Sequence, residues 1–203
     1  MKMVCLDLEG VLVPEIWIAV AETTGIPELR LTTRDISDYD VLMKRRIEIL
    51  DKHNLTLLDI QNVIGRMEPL PGAAGFLERL RSNTQVIILS DTFEQFASPL
   101  MKKLGWPTLF CNTLLVDGGN RVSGYRLRQL DGKMKAVKAL RGIGFEILAS
   151  GDSYNDIAML ETANAGVLFR PPAAIREQYP QFPAVTAYEE LEAHVRRFLE
   201  SCA

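Results

Sequence analysis

Acidic residues follow three of the short apolar segments in this sequence. Asp7 and Glu9 lie at the end of the first segment, Asp91 follows the second, and Asp152 follows the third. Short apolar runs of this kind are typical of buried parallel strands, whose carboxyl ends lie along one edge of a sheet. We therefore expect these carboxylates to converge, with Asp156 close behind. A divalent cation with oxygen preference, such as Mg²⁺, would remove their mutual repulsion.

Helix capping is the alternative explanation for two of these acids. Asp91 and Asp152 come just before predicted helices, where aspartate is a common cap of the first turn. Capping explains any one of the acids well. It does not by itself explain why each of them follows a strand.

Lys133 is a candidate counter-charge for such an acidic site. It begins a predicted helix directly after Gly132, a position where the helix dipole disfavours a cation. A nearby carboxylate or phosphate would offset that cost. From the residues alone, the alternative is a solvated lysine in a run with Lys135 and Lys138.

The segments that position these residues alternate between strand and helix. This order predicts an α/β fold with right-handed crossovers, in the form of a Rossmann-like, doubly wound and mainly parallel sheet. The predicted strands are Lys2–Leu8, Gln85–Leu89, Phe145–Ala149 and Ala165–Phe169. The predicted helices of this sheet domain are Gly72–Arg81, Phe93–Leu104, Lys133–Arg141, Tyr154–Thr162 and a closing helix over Tyr188–Leu199.

Two stretches interrupt the alternation. Residues 14–68 hold no convincing strand, and they predict an all-helical cap inserted after the first strand, with helices around Glu15–Glu22, Asp38–His53 and Thr56–Met67. Residues 1–13 and 69–203 then form the core domain. The second stretch, Thr108–Gln129, has two β-rich halves around Asp117-Gly118-Gly119-Asn120, a strong signal for a β-hairpin.

Composition limits the class of protein. The chain of 203 residues suits one domain with a modest insert. Its net charge of −3 gives no electrostatic signature of nucleic-acid or membrane partners. The scattered cysteines Cys5, Cys111 and Cys202 favour reduced thiols in a cytoplasmic protein over disulfides or a zinc site. The sequence holds no apolar stretch of about 18 residues that could span a membrane.

Four motifs in order resemble those of the haloacid-dehalogenase-like hydrolase superfamily. They are Asp7-Leu8-Glu9-Gly10, Ser90-Asp91-Thr92, Lys133, and Gly151-Asp152-Ser153-Tyr154-Asn155-Asp156. The helical insert resembles the small cap of the phosphoserine phosphatase branch. The run D-L-E-G-V-L-V-P-E, with S-D-T further on, is similar to the group described as hydrolysing phosphoserine and passing its phosphoryl group to homoserine. The resemblance extends from Lys2 to about Phe169.

This resemblance implies a Mg²⁺-dependent enzyme with assigned residue roles. Asp7 is the nucleophile that forms an aspartyl-phosphate, and Glu9 is the general acid and base. Mg²⁺ is held by Asp7, Asp152 and the main-chain carbonyl of Glu9. Lys133 offsets the negative charge of Asp7 and the phosphate, and Asp156 orients Lys133 or the metal-bound waters as a supporting group.

The resemblance also implies how the substrate is bound. The Ser90 hydroxyl and the Asp91 N–H bind phosphate oxygens at the mouth of the next helix, and Thr92 and Asn155 are lesser candidates nearby. Glu15 binds the substrate ammonium and Arg46 its carboxylate. Spacing places Arg46 on the apolar side of its helix. Arg45 has nearly the same claim from spacing, and a solvated face is the alternative for both.

Glu9 departs from the superfamily pattern, which usually has aspartate at this position. A glutamate places its carboxyl differently, so we hypothesise that water attack slows and a second alcohol gains time to accept the phosphoryl group. The alternative enzyme is a phosphatase for another small phosphomonoester, and the alternative class is a catalytically silent ligand-binding or regulatory module. A dehalogenase is disfavoured because that chemistry needs no metal, whereas the sequence supplies a complete set of metal-binding residues.

Overall fold

A seven-stranded sheet runs through the centre of the computed structural model, which describes residues 1–32, 35–36 and 38–201. The strands are β1 (Lys2–Leu6), β2 (Gln85–Phe93), β3 (Thr108–Val116), β4 (Val122–Arg126), β5 (Glu146–Gly151), β6 (Ala165–Phe169) and β7 (Ala184–Val185). Their order across the sheet is β4-β3-β2-β1-β5-β6-β7, and every neighbouring pair is parallel except β3 and β4. The α/β, mainly parallel sheet predicted from the sequence is therefore confirmed.

Helices cover both faces of the sheet, because successive side chains of a strand point to opposite sides. Val4 and Leu6 of β1 join a core cluster on one face of the sheet, whereas Met3 and Cys5 join a second cluster on the other face. The sheet is thus doubly wound. These helices are α4 (Ala73–Asn83), α5 (Glu94–Lys103), α6 (Gly132–Gly142), α7 (Ile157–Thr162), α8 (Ala173–Gln178) and α9 (Tyr188–Glu200), with a 3₁₀ turn over Tyr154–Asp156 before α7.

Among its described residues, the segment between β1 and α4 contains helices and no strand. It contains α1 (Ile16–Thr24), a 3₁₀ turn (Pro27–Arg30), α2 (Tyr39–Lys52) and α3 (Leu57–Ile64). Side chains define where two of these helices begin: Asp38 caps α2, and Thr56 and Asp59 form a capping box at α3. We call residues 14–68 the helical insert.

The hairpin predicted around Asp117–Asn120 forms between β3 and β4. Asn120 adopts a left-handed φ of 63°, and the Asp117 side chain accepts hydrogen bonds from the N–H groups of Gly119 and Arg121. Such side-chain bonds to nearby backbone are typical of aspartate in turns. The hairpin tip is therefore well defined by its own residues.

The second strand is longer than the sequence predicted. The apolar run was expected to end at Leu89 with a helix from Phe93, but β2 continues to Phe93 and α5 begins at Glu94. Thr92 and Phe93 are buried, and Phe93 pairs with Asn112 of β3. Burial and pairing keep this segment extended. The short elements α8 and β7 were not predicted.

Two further expectations concern cysteines and membranes. Cys5 and Cys111 carry free thiols, and Cys202 lies outside the described residues. Among the residues that the structure describes, no helix has both the length and the apolar character needed to cross a lipid bilayer.

Candidate active site

Lys133 lies between two buried aspartates at the end of β1. Its Nζ is 2.9 Å from Asp7 Oδ1 and 2.7 Å from Asp156 Oδ1, and all three side chains are almost fully buried. Burial alone would lower the pKa of Lys133, but the carboxylates of Asp156 and Asp7 raise it well above its ordinary value. Lys133 is therefore a permanent cation in the first turn of α6, and the solvated alternative is wrong.

Asp156 is held in place by backbone groups as well as by Lys133. Its Oδ2 accepts hydrogen bonds from the N–H of Asp152 at 3.0 Å and of Ser153 at 3.1 Å. The turn approaches Gly151 so closely that a Cβ there would collide with the Asp156 carboxyl group. Because both oxygens of Asp156 are engaged, its geometry suits the orientation of Lys133 better than metal binding.

Three carboxylates converge beside Lys133. One oxygen each of Asp7, Asp152 and Asp156 lies within 4.8 Å of the others. Burial and the charge of Asp156 raise the pKa of Asp7, and Lys133 opposes that rise. Crowded, buried oxygens of this kind suit a hard divalent cation, and since Asp156 is occupied, Asp7 and Asp152 are the side chains of this group that could hold one.

Glu9 caps the first helix of the insert. Its Oε2 accepts a hydrogen bond from the Ile16 N–H at 2.8 Å, so the carboxylate satisfies a free donor at the start of α1. Burial, with a further contribution from Glu15, raises the pKa of Glu9 to about 7, although the Ile16 N–H and Arg46 oppose the shift. Glu9 can thus exchange a proton near neutral pH.

The end of β2 forms one wall of the cavity. The Ser90 Oγ accepts a hydrogen bond from the Thr92 N–H at 3.2 Å, and Asp91 Oδ2 accepts one from Asn155 Nδ2 at 2.9 Å. Ser90, Asp91 and Asn155 all line the same cavity as Asp7. The motif residues from β2 and from the turn after β5 are therefore brought together.

Two expectations about this wall are wrong. Asp91 does not lie at the mouth of a helix, because it is inside β2 and α5 begins three residues later. Asp91 is also not a helix cap, since the residue at the N-cap of α5 is Phe93. Capping fails for Asp152 as well, because the cap of the following turn is Ser153, in a capping box with Asp156.

The insert supplies the opposite wall of the cavity, which has a volume of about 90 Å³. Arg46 is buried, its guanidinium carbon lies 4.5 Å from the centre of the Trp17 ring, and NH2 donates to the Leu31 carbonyl at 2.8 Å. Among the described residues, Arg46 Nε has no hydrogen-bond partner. Arg45 is exposed, which resolves the choice between the two arginines in favour of Arg46. Glu15, at the start of α1, also lines the cavity.

Tyr39 and Asn112 were not predicted as site residues. The Tyr39 hydroxyl and the Asn112 side-chain amide both donate to the Asp91 carbonyl at 3.1 Å. Tyr39 lines the cavity from α2, whereas Asn112 lies on β3. The sequence predicted a helix that starts near Asp38, but no sequence signal placed Tyr39 or Asn112 beside Asp91.

This is the architecture of an α/β enzyme whose site lies at the carboxyl ends of its strands. Residues 1–164 match the family model described as a hydrolase, haloacid dehalogenase-like hydrolase, and the chain belongs to that family.

Known relatives are similar over almost the whole chain. Phosphoserine phosphatase ThrH of Pseudomonas aeruginosa is 55% identical over 201 residues, which cover 99% of this chain and 97% of the relative. Phosphoserine phosphatase of Pseudomonas syringae pv. tomato is 56% identical over 191 residues, 94% of this chain and 81% of the relative. A solved structure of a substrate-bound phosphoserine phosphatase complex has the same fold, with a TM-score of 0.74 at 18% identity over 95% of this chain and 97% of that chain.

Gly10 offers a test of the acidic cluster. Its φ is +78°, and a Cβ there would collide with the Asp152 carboxylate. Gly10→Ala should therefore displace Asp152 and weaken Mg²⁺ binding, measured by calorimetry, by about tenfold or more, equivalent to about 1.4 kcal/mol.

Gly25→Ala is the matched control, because Gly25 has a φ of +70° and open space around its Cα. Both variants should lose about 1–2 kcal/mol of unfolding free energy, measured with urea, because alanine is strained in a left-handed backbone conformation. Equal Mg²⁺ affinity in the two variants would contradict the assignment of Asp152.

The raised pKa of Glu9 predicts a pH-dependent stability of the metal-free protein. The folded state binds this proton more tightly than the unfolded chain. The contribution of Glu9 to the free energy of unfolding is therefore fully present below about pH 4.5 and is lost as the pH rises to about 7. Relative to Glu9→Gln, the wild type in EDTA should lose at most about 3 kcal/mol of unfolding free energy across that window. Urea unfolding at several pH values measures it, with exposed Glu78→Gln as control. Parallel curves for wild type and Glu9→Gln would refute the shift.

Proposed function

We propose that this chain is a Mg²⁺-dependent phosphoserine phosphatase that forms an aspartyl-phosphate on Asp7. The observation that carries the proposal is the placement of Asp7: buried, paired with Lys133 at 2.9 Å, and lining the same cavity as Arg46. The names of the two relatives that are more than half identical support the same substrate.

In the first step, Asp7 attacks phosphorus in line. Lys133 and the Leu8 N–H, at 2.7 Å, both engage Asp7 Oδ1, so we assign the attack to Oδ2. Protonated Glu9 gives its proton to the serine oxygen as the phosphorus–oxygen bond breaks. In the second step, the Glu9 carboxylate takes a proton from water, which attacks the aspartyl-phosphate and releases phosphate and free Asp7.

Positive charge and oriented donors stabilise the phosphoryl group during both steps. Lys133 offsets the charge of Asp7 and of the phosphate, while the Ser90 hydroxyl and the Asp91 N–H donate to phosphate oxygens, with Thr92 and Asn155 nearby. Mg²⁺, held by Asp7, Asp152 and the Glu9 carbonyl, supplies further positive charge to those oxygens when it is bound.

The helical insert would bind the amino-acid part of the substrate. Arg46 would bind the carboxylate, because its planar guanidinium matches a carboxylate and its buried Nε has no hydrogen-bond partner among the described residues. Glu15 would bind the ammonium. On this proposal residues 14–68 are a specificity cap over a core of residues 1–13 and 69–203, and the enzyme acts in the cytoplasm, where Cys5 and Cys111 stay reduced.

We also propose homoserine as an alternative acceptor of the phosphoryl group. Homoserine has the same ammonium and carboxylate as serine, with one additional methylene before the hydroxyl, so Arg46 and Glu15 suit both. The Glu9 carboxyl is anchored to the start of α1, which restricts its reach toward an attacking water. The aspartyl-phosphate then persists long enough for the homoserine hydroxyl to attack its phosphorus, giving its proton to the Glu9 carboxylate and releasing free Asp7.

The phosphatase assignment is tested by phosphate release from phosphoserine. Turnover should require Mg²⁺, cease in EDTA, and fall at least about 10³-fold in Asp7→Asn, because the amide cannot act as the nucleophile. Circular dichroism would verify that the variant is folded. Undiminished turnover in Asp7→Asn, or turnover indifferent to EDTA, would refute the mechanism.

The acceptor proposal is tested by competition. Wild-type enzyme given phosphoserine and homoserine should produce phosphohomoserine besides free phosphate. Glu9→Asp should shift the products toward free phosphate, because the shorter side chain loses its anchor at Ile16 and approaches water differently. Only free phosphate in the wild type would eliminate transfer, and an unchanged product ratio in Glu9→Asp would eliminate the role of Glu9.

A further inference from the structure

Helix α2 is tethered to the β3–β4 hairpin near both of its ends. Close to the N-terminus of α2, Asp40 Oδ1 accepts a hydrogen bond from the Tyr125 hydroxyl at 2.7 Å. Close to its C-terminus, Asp51 Oδ1 pairs with Arg121 NH1 at 2.7 Å. The two aspartates are separated by about three helical turns, so they share one face of the helix.

Arg46 lies between these tethers on a different face of α2. It follows Asp40 by six residues, which rotates it by about 120° from the tethered face. On this buried side it accompanies Leu42, Met43 and Leu50 and lines the cavity. The position of the guanidinium in the cavity therefore depends on where the hairpin holds α2.

The hairpin is itself fixed relative to the phosphate-binding wall. β3 pairs with β2, and Asn112 of β3 donates to the Asp91 carbonyl while its Oδ1 accepts from the Arg128 N–H at 3.0 Å. At the tip, the Asn120 carbonyl and side-chain oxygen accept from the Leu57 and Leu58 N–H groups, both at 2.8 Å. The tip thereby caps α3 and fastens a second helix of the insert.

We propose that Tyr125 and Arg121 are positioning residues for substrate selection. Through α2 they set the distance from Arg46 to Asp7, and this distance selects phosphomonoesters whose carboxylate lies as close to the phosphate as in a short phosphorylated amino acid. The inference rests on the proposed function, in which Arg46 binds the substrate carboxylate.

The test compares phosphoserine with phosphoethanolamine, which lacks the carboxylate. In the double variant Tyr125→Phe/Arg121→Gln, both tethers are lost, whereas the aromatic contact with Tyr39, at 5.7 Å between ring centres, can persist. We expect KM for phosphoserine to rise about fivefold with kcat within about twofold, since each exposed contact is individually weak. The kcat/KM for phosphoethanolamine should not change.

Two further variants separate positioning from general loosening. Arg79→Gln removes another ion pair, Arg79–Glu192 at 3.0 Å, which joins α4 to α9, both outside residues 14–68; its kinetics should equal those of the wild type. The charge swap Asp51→Arg/Arg121→Asp should restore the KM for phosphoserine that Arg121→Asp alone raises.

The outcomes are distinct. A parallel loss with both substrates, an unchanged KM for phosphoserine in the double variant, or failure of the charge swap to restore KM would overturn the positioning role. Discrimination between phosphoserine and phosphoethanolamine by the wild-type enzyme is measured separately. If it turns over phosphoethanolamine as well as phosphoserine, carboxylate recognition by Arg46 fails, and the positioning role fails with it.

Discussion

The buried ammonium of Lys133 joins the two carboxylates on which the active site depends. Removing one partner from a buried ion pair leaves the other charge uncompensated, at a cost of about 3–5 kcal/mol. Asp7 and Asp156 are both almost fully buried, and each pairs with Lys133, at 2.9 and 2.7 Å, so removing Lys133 would take the same buried counter-charge from both. Asp156 adds two backbone hydrogen bonds that fix the turn after β5. The nucleophile, the cation and the supporting acid therefore form a single unit.

The sheet brings that unit together, and the insert completes the cavity. β1 lies between β2 and β5, so residues at the carboxyl ends of three strands meet although they are far apart in the chain. The insert places Arg46 across the cavity and connects to the core through Glu9, which caps α1, and Tyr39, which donates to the Asp91 carbonyl. Positive charge thus faces the cavity from both sides, as a phosphorylated amino acid with two acidic groups requires.

Much of this arrangement was predictable from local sequence. Apolar runs ending in acids predicted the strands and the convergence of Asp7 and Asp152, whereas helical spacing favoured Arg46 and Arg45 almost equally for the buried side of α2. The end of β2 was not predictable, because the strand extends to Phe93 through the pairing of Phe93 with Asn112 of β3 rather than through local preference. The contacts of Tyr39, Asn112 and Arg121 join segments that are remote in sequence. Such long-range contacts cannot be predicted from a single sequence.

The central claim is that Asp7 carries the phosphoryl group. Acid quenching of enzyme, Mg²⁺ and phosphoserine, followed by borohydride reduction and peptide mass spectrometry, measures this directly, because borohydride converts an aspartyl-phosphate into a homoserine residue. The account predicts this conversion at Asp7, present with substrate and absent without it. Conversion at another residue, or none under conditions of active turnover, would contradict the account.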